Sequence, residues 1–158
     1  MNRFMREKWS WIEGAHAMRT GMLDALSDSD LAFNPGGQNM TLGALCREMA
    51  EIEYSYIQSL KTFKQEWSYR NTELGMDSHI AKLKAWYQAL DNELTALMSA
   101  FSDEDLKKLV KRPDGNSMPV EFLLDVYLQA LLIFFGKAII YLKAMNKSLP
   151  EAVREYIS

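Results

Sequence analysis

Two charged residues fall on helical faces that are otherwise apolar, and they are the first candidates for chemistry in this chain. Arg19 lies on the apolar side of the first helical pattern, and Glu53 lies near the middle of the apolar side of the second. A buried charge requires a partner of opposite sign, because transfer out of water is otherwise too costly. The sequence therefore predicts an ion pair between Arg19 and Glu53, with a structural rather than a functional role.

Histidine chemistry is limited by number, since the chain contains only His16 and His79. Two residues are too few for a histidine-rich metal site. His16 could act as a metal ligand or as a base toward Glu48, but a single histidine beside apolar neighbours is more often a hydrogen-bonded structural residue. We adopt the structural interpretation for His16 and expect His79, in the first turn of the third helix, to be exposed.

Carboxylates offer a second possible site. Glu48, Glu51 and Asp125 could in principle assemble a carboxylate metal site of the kind that helical bundles hold. Glu51, however, is predicted to point away from the apolar stripe of its helix, and Asp125 falls on a strip that faces solvent. We therefore expect solvated charges here. Cys46 is predicted to be a small buried hydrophobe, and the chain contains no phosphate-binding loop or zinc-binding spacing.

Helical periodicity organises the elements that must position these residues. The pattern predicts long helices at about 3–26, with Trp11 on the apolar face, and at about 41–65, 77–100 and 118–145. Clusters of turn-forming residues separate them, and a capping box around Pro150 predicts a short C-terminal helix. Because no stretch alternates convincingly over strand lengths, we predict an all-α four-helix bundle, a single domain spanning 1–158 with long crossover loops.

An internal repeat supports two similar helix pairs. The segment LSDSDL at 26–31 matches FSDEDL at 101–106, and PGGQNMTLGAL at 35–45 matches PDGNSMPVEFL at 113–123. Such a repeat predicts two similar supersecondary units. Each is expected to contain a capped turn and a long loop that leads into a second helix.

The segment 118–145 is the most apolar part of the chain. Its polar strip, formed by Glu121, Asp125 and Gln129, runs into Leu132 and Gly136 in the second half. A face that turns apolar halfway along a helix is typical of one that packs on another subunit. We predict a homodimer through this fourth helix. A membrane span is the alternative, but polar interruptions make a buried bundle helix the better interpretation.

Overall composition excludes several classes of function. The 18 Lys and Arg residues are outnumbered by 21 Asp and Glu, giving a net charge of −3, so there is no electrostatic footprint for nucleic acid or an anionic membrane. A single cysteine fits a reducing compartment. The N-terminal residues contain no apolar segment of the signal-peptide type. These features predict a cytoplasmic protein.

Several motifs together resemble a known family. They are the run Thr41-Leu42-Gly43-Ala44-Leu45, the Ser-Asp-Glu-Asp-Leu turn at 102–106, and a long helix that ends Gly-Lys-Ala-Ile-Ile-Tyr-Leu at 136–142 before a proline. The similarity is to the DinB/YfiT-like four-helix bundles and covers about residues 20–150. It implies a cytoplasmic dimer. Many members hold a divalent metal with one histidine from the second helix and a His-x-x-x-His pair from the fourth, and thiol-dependent transferases and isomerases belong to the family.

The resemblance places those three ligand positions at Glu48, Ala130 and Phe134. Alanine and phenylalanine offer no donor atom, so we expect no metal and no other cofactor. Phe122, Val126, Ala130 and Phe134 share one line, which is predicted to face the bundle interior.

The sequence thus predicts a metal-free homodimer that binds a small apolar molecule, or a protein partner. The candidate cleft for a small molecule is lined by Glu48, Ala130, Phe134 and His16. The alternative is an enzyme, either a thiol-dependent transferase by analogy with the family or a metal enzyme that uses Glu48 with His16.

Overall fold

A computed structural model describes residues 1–157. Its helices are α1 (Arg3–Glu7), α2 (Trp9–Asp24), α3 (Leu42–Thr62), α4 (Ile80–Ala100), α5 (Val120–Ala144) and α6 (Glu151–Ile157). Two short strands, β1 (Leu109–Lys111) and β2 (Ser117–Pro119), form an antiparallel hairpin. The expectation of a chain without strands is therefore wrong for this loop, because three-residue strands are too short to show an alternating pattern.

The first predicted helix is in fact two helices with a break at Lys8. Asn2 caps α1 through a bond from Met5 N to its side chain, and Lys8 stands at the junction with a non-helical backbone. Because of this break, the side of α2 that packs into the core differs from the side predicted for one continuous helix. Trp9 and Ile12 are buried, whereas Trp11 is 60% exposed, so the predicted position of Trp11 on the apolar face is wrong.

Helix α3 begins at a capped residue and is held closely by the loop that precedes α4. The Thr41 side chain accepts a hydrogen bond from Ala44 N at 3.2 Å, which satisfies one free donor of the first turn. Gly43 faces the backbone carbonyl of Asp77, and a Cβ added at Gly43 would lie 1.8 Å from that oxygen. Only glycine permits this close approach between the helix and the loop.

The repeat is visible in the turns that precede α3 and α5. Ser27 N donates to Asp30 Oδ2, and Ser102 N donates to Asp105 Oδ2, each at 2.8 Å. The same local pairing therefore closes a 3₁₀ turn in both halves of the chain. This agreement confirms the prediction of two similar capped turns.

The four long helices form a bundle in which α2 and α3 each pack against both α4 and α5. Helices joined by a long loop, α2 to α3 and α4 to α5, thus lie on opposite sides of the bundle. The predicted crossover loops and the all-helical bundle are confirmed. One core of buried apolar side chains receives residues from all four helices.

Helix α5 is buried along one side and exposed along the other. Tyr127, Leu131 and Phe134 are buried, but Phe122 is 51% exposed, so its predicted place on the interior line is wrong. The error follows from geometry, since residues spaced by four drift by about 40° per step around a helix with 3.6 residues per turn. The polar strip is also partly covered, because Lys8 Nζ binds Asp125 at 2.8 Å.

By length and composition, α5 could cross a bilayer. Its buried side nevertheless belongs to the core that α2 and α3 share. A core helix of a bundle passes the same compositional test. The arrangement is compatible with a soluble protein.

Candidate functional site

A cluster of charged and polar side chains lies at the centre of the bundle, with a contribution from each of the four long helices. Its members are His16 and Arg19 of α2, Glu53 of α3, Tyr87 and Asp91 of α4, and Tyr127 of α5. Arg19 and Glu53 are both fully buried, and Arg19 Nη1 donates to Glu53 Oε2 at 2.7 Å. The predicted Arg19–Glu53 pair is confirmed.

Arg19 has further partners that the sequence analysis did not identify. Its Nη2 donates to Asp91 Oδ1 at 2.6 Å, and its guanidinium carbon lies 3.7 Å from the centre of the Tyr87 ring. Burial disfavours the charged form, but Glu53 and the neighbouring groups outweigh it and raise the pKa of Arg19. The guanidinium is therefore a permanent positive charge held between two helices.

His16 connects the carboxylate of Asp91 to a phenol. His16 Nδ1 lies 2.9 Å from Asp91 Oδ1, and His16 Nε2 lies 2.8 Å from Tyr127 Oη. Burial, followed by the charge of Arg19, lowers the pKa of His16, so the ring is neutral near pH 7. A carboxylate only accepts hydrogen bonds, so Nδ1 carries the proton and Nε2 accepts from Tyr127.

The pKa values of the two carboxyl groups in the cluster are shifted in opposite directions. Burial raises the pKa of Glu53 to about 8; Arg19 opposes this shift and Asp91 adds to it. Burial also acts to raise the pKa of Asp91, but its hydrogen bond from His16 and the charge of Arg19 lower it to about 2. Asp91 therefore carries the charge that balances Arg19, and burial favours the protonated form of Glu53.

The cluster could in principle hold a metal ion. One donor atom each from His16, Glu53 and Asp91 lies within 4.8 Å of the other two. Arg19, however, already binds both carboxylates with its two terminal nitrogens. The guanidinium supplies the positive charge that a metal would bring, so this donor set does not fit an ion while Arg19 is in place.

The series Asp91, His16 and Tyr127 also resembles the orienter, base and nucleophile of an acid–base relay. Chemistry at a relay requires that a substrate reach the terminal hydroxyl. Tyr127 is fully buried, and burial raises its pKa well above the ordinary value. The geometry therefore favours a structural role for this relay.

A groove with a volume of about 560 Å³ runs along the outer side of α3. Helix α3 contributes Ala44, Arg47, Glu48, Glu51, Ile52 and Ser55, and the flanking loops contribute Met40, Trp67 and Arg70. None of the side chains of the central cluster lines it. The groove combines apolar walls with charged groups, which is typical of a site for a small molecule.

Comparison with known proteins places the chain in a family. The sequence model of the DinB superfamily matches residues 12–129. This chain belongs to the DinB superfamily. The crystal structure of a DinB-like protein of Bacillus subtilis, YjoA, superposes with a TM-score of 0.72 at 14% identity and covers 90% of this chain and 95% of that one. At this identity the match shows the fold, and no curated protein matches the chain.

Of the four residues predicted to line one cleft of this DinB-superfamily bundle, one lines the groove beside α3. Glu48 lines the groove. His16 belongs to the central cluster, Phe134 is buried beside Phe135, and Ala130 is partly buried on α5. Neither Ala130 nor Phe134 lines the groove. That these four residues form one binding cleft stays a prediction.

The three positions that the family resemblance assigns to metal ligands do not fit a metal. Of Glu48, Ala130 and Phe134, only Glu48 carries a donor atom, and the Phe134 ring is 3% exposed within the core.

Cys46 is not available as a nucleophile. It is fully buried, and burial raises the pKa of its thiol to about 12.

Two features of the site were missed or misread from the sequence. Asp91 follows Tyr87 by four residues and precedes Leu94 by three, so its place on the apolar side of α4 could have been found from the spacing. Glu51 was expected in solvent but is 7% exposed, because Asn71 N donates to its Oε1 at 2.9 Å. The loop that folds back over α3 covers it, and helical periodicity does not report on loops.

Proposed function

We propose that this DinB-superfamily protein is a metal-free, cytoplasmic homodimer that binds a small, largely apolar molecule in the groove beside α3. The observation that carries the proposal is the groove itself, which has room for a ligand of one or two aromatic rings. The single cysteine, buried as a thiol, supports a reducing compartment. The chemistry of Glu48, Ala130 and Phe134 supports independence from a metal.

The walls of the groove favour a flat apolar body. Met40 and Ile52 give flexible and branched aliphatic surface, and Trp67 gives an aromatic face. Trp67 is held in place by an edge contact with Tyr56, whose ring centre lies 5.6 Å away. Ser55 Oγ anchors the loop that carries Trp67 by donating to Glu66 O at 2.8 Å. A fixed aromatic wall reduces the entropy lost on binding.

Filling the groove is expected to weaken the binding of an apolar probe. Wild type should increase the fluorescence of N-phenyl-1-naphthylamine, and Ala44→Phe, which projects a ring into the groove, should weaken the affinity at least about tenfold through steric exclusion. Fluorescence titration measures both. Ala96→Phe, at an exposed position of α4, is the matched control and should bind as wild type does, as should protein treated with a chelator. Equal binding by Ala44→Phe and wild type would contradict the proposal.

The partner of the proposed homodimer contact is a second copy of α5. Four large apolar side chains of α5 are 51–61% exposed: Phe122, Leu132, Ile133 and Ile140. Gly136 lies between Ile133 and Ile140, and a Cβ added there would have no neighbour within 4 Å. A glycine flanked by exposed isoleucines lets two identical helices approach closely about a twofold axis, with each isoleucine packing beside the glycine of the partner.

A charge placed on this face is expected to convert the dimer to a monomer. Ile133→Glu would place two carboxylates close together near the twofold axis, and their burial and mutual repulsion should outweigh the weak i,i+4 pair that each could form with Lys137. Size-exclusion chromatography with light scattering measures the mass. Leu109→Glu is the matched control, because Leu109 and Ile133 are each 61% exposed but Leu109 lies on β1. A monomeric wild type, or a dimer that tolerates Ile133→Glu, would refute this contact.

A further inference from the structure

Four charged residues line the groove, Arg47, Glu48, Glu51 and Arg70, and Glu48 is the one for which the described residues supply no ionic partner. Arg47 Nη1 binds Asp77 Oδ2 at 2.8 Å, and Arg47 Nε lies 3.7 Å from Glu51 Oε1. Arg70 Nε lies 3.8 Å from Glu51 Oε2. The two arginines are thus matched by two carboxylates. Among residues 1–155, the ones whose side chains are described, the Glu48 carboxylate makes no ion pair and no side-chain hydrogen bond.

The arginines of the groove are committed to structural contacts, which disfavours an anionic ligand. Arg70 Nη1 donates to the carbonyls of Trp67 and Tyr69, so its guanidinium closes the turn of the loop. Arg47 joins α3 to Asp77 in the segment before α4. An incoming carboxylate or phosphate would have to compete with these contacts. The unpaired charge of the groove is negative.

The hydroxyl of Tyr141, whose pKa is affected by the charge of Glu48, is also engaged in a hydrogen bond with another group. Burial, and after it the charge of Glu48, raises the pKa of Tyr141. The hydroxyl of Tyr141 donates to Met40 O at 2.8 Å, so its proton is engaged with backbone. Glu48 is half-buried beside the apolar surface of Met40 and Ile52. A carboxylate in such a place gains from a cationic partner, because its hydration is already incomplete.

We infer that the groove takes an organic ammonium ion, a primary amine attached to an aromatic or similarly apolar body, with the ammonium on Glu48. The apolar body packs on Met40 and Ile52, and Trp67 adds an aromatic face suited to a cation or a ring. The inference rests on the proposed groove and specifies the chemical class of its ligand. It accounts for the presence of a carboxylate without an ionic partner in a groove whose two arginines are already paired with Asp77 and Glu51.

Three probes that share a naphthyl ring on a two-carbon linker and differ in the charge of their head group test the inference. They are 2-(1-naphthyl)ethylamine, the neutral alcohol 2-(1-naphthyl)ethanol and the anion 3-(1-naphthyl)propionate, titrated by calorimetry at pH 7. We expect the amine to bind wild type about tenfold more tightly than the alcohol, as a hydrogen bond to a charged group predicts. Glu48→Gln should remove that preference and leave the affinity for the alcohol within about twofold.

Controls separate this inference from the groove proposal. Glu104→Gln removes one negative charge at an exposed site of the 101–119 loop and should keep the preference for the amine. If alcohol and anion bind as well as the amine and Glu48→Gln changes nothing, the ammonium inference is overturned while the groove remains a binding site. If none of the three binds wild type, both the inference and the groove proposal are overturned.

Discussion

Replacing Arg19 by methionine is expected to lower the free energy of unfolding by about 3–5 kcal/mol, the largest effect of any single substitution considered for this protein. The change leaves Glu53 and Asp91 close together in the core without a cation. Glu53→Gln should cost less, about 1 kcal/mol near pH 6, because Asp91 still neutralises Arg19 and Gln resembles the protonated acid. Urea denaturation measures both.

The double variant decides whether the cluster acts as a unit. Arg19→Met combined with Glu53→Gln should be more stable than the sum of the single losses predicts, since the contact between Arg19 and Glu53 can be lost only once. Arg3→Met, which breaks an exposed pair with Glu121, is the control and should leave the urea midpoint close to that of wild type, because exposed ion pairs contribute little to stability. Additive losses, or an Arg19 variant no less stable than the Arg3 variant, would contradict a coupled core cluster.

The protonation of Glu53 predicts an unusual dependence of stability on pH. A carboxyl whose pKa rises from 4.5 to about 8 on folding binds a proton more tightly in the folded state. Its stabilising contribution is complete below about pH 4.5 and is lost as pH rises through 8. Wild type should therefore lose stability relative to Glu53→Gln between these values, with a slope of up to about 1.4 kcal/mol per pH unit.

The other titrating groups of the cluster act in the opposite direction and are shared by both proteins. The lowered pKa of His16 contributes stability above its ordinary pKa of 6.5, which is lost as pH falls. The pKa of Asp91, lowered to about 2, contributes stability that is lost only as pH falls below 3.8. The measured quantity is therefore the difference between wild type and Glu53→Gln at each pH. Parallel curves would show that Glu53 stays ionised beside Arg19.

The burial of Arg19 and Glu53 could be predicted from the sequence, but the full set of side chains that contact them could not. Arg19 and Glu53 each interrupt an apolar stripe, and the high cost of an unpaired buried charge made their pairing predictable. Asp91 and Tyr127 join them from α4 and α5, and their recruitment depends on how the four helices are placed around the core. Helical spacing identifies the covered face of a helix and does not identify the helix that covers it.

The same distinction explains the candidate groove. Glu48 could be placed near the edge of the apolar stripe of α3, but Trp67 and Arg70 reach the groove through a loop without periodic pattern. That loop also buries Glu51 and engages both arginines. Only after these contacts are known does Glu48 stand out as the uncompensated charge.

By itself, the sequence determined the helices, their capped turns, the repeat and membership of an all-α bundle, because periodicity, turn chemistry and apolar content are local properties of the chain. It also determined that two of the family's three metal-ligand positions, Ala130 and Phe134, lack donor atoms. The tertiary structure alone decided that four helices share one polar centre, that Phe122 and Trp11 face outward, and that the groove beside α3 is separate from His16. The crossover loops set which faces meet, and contacts between residues distant in the chain carry no local signal.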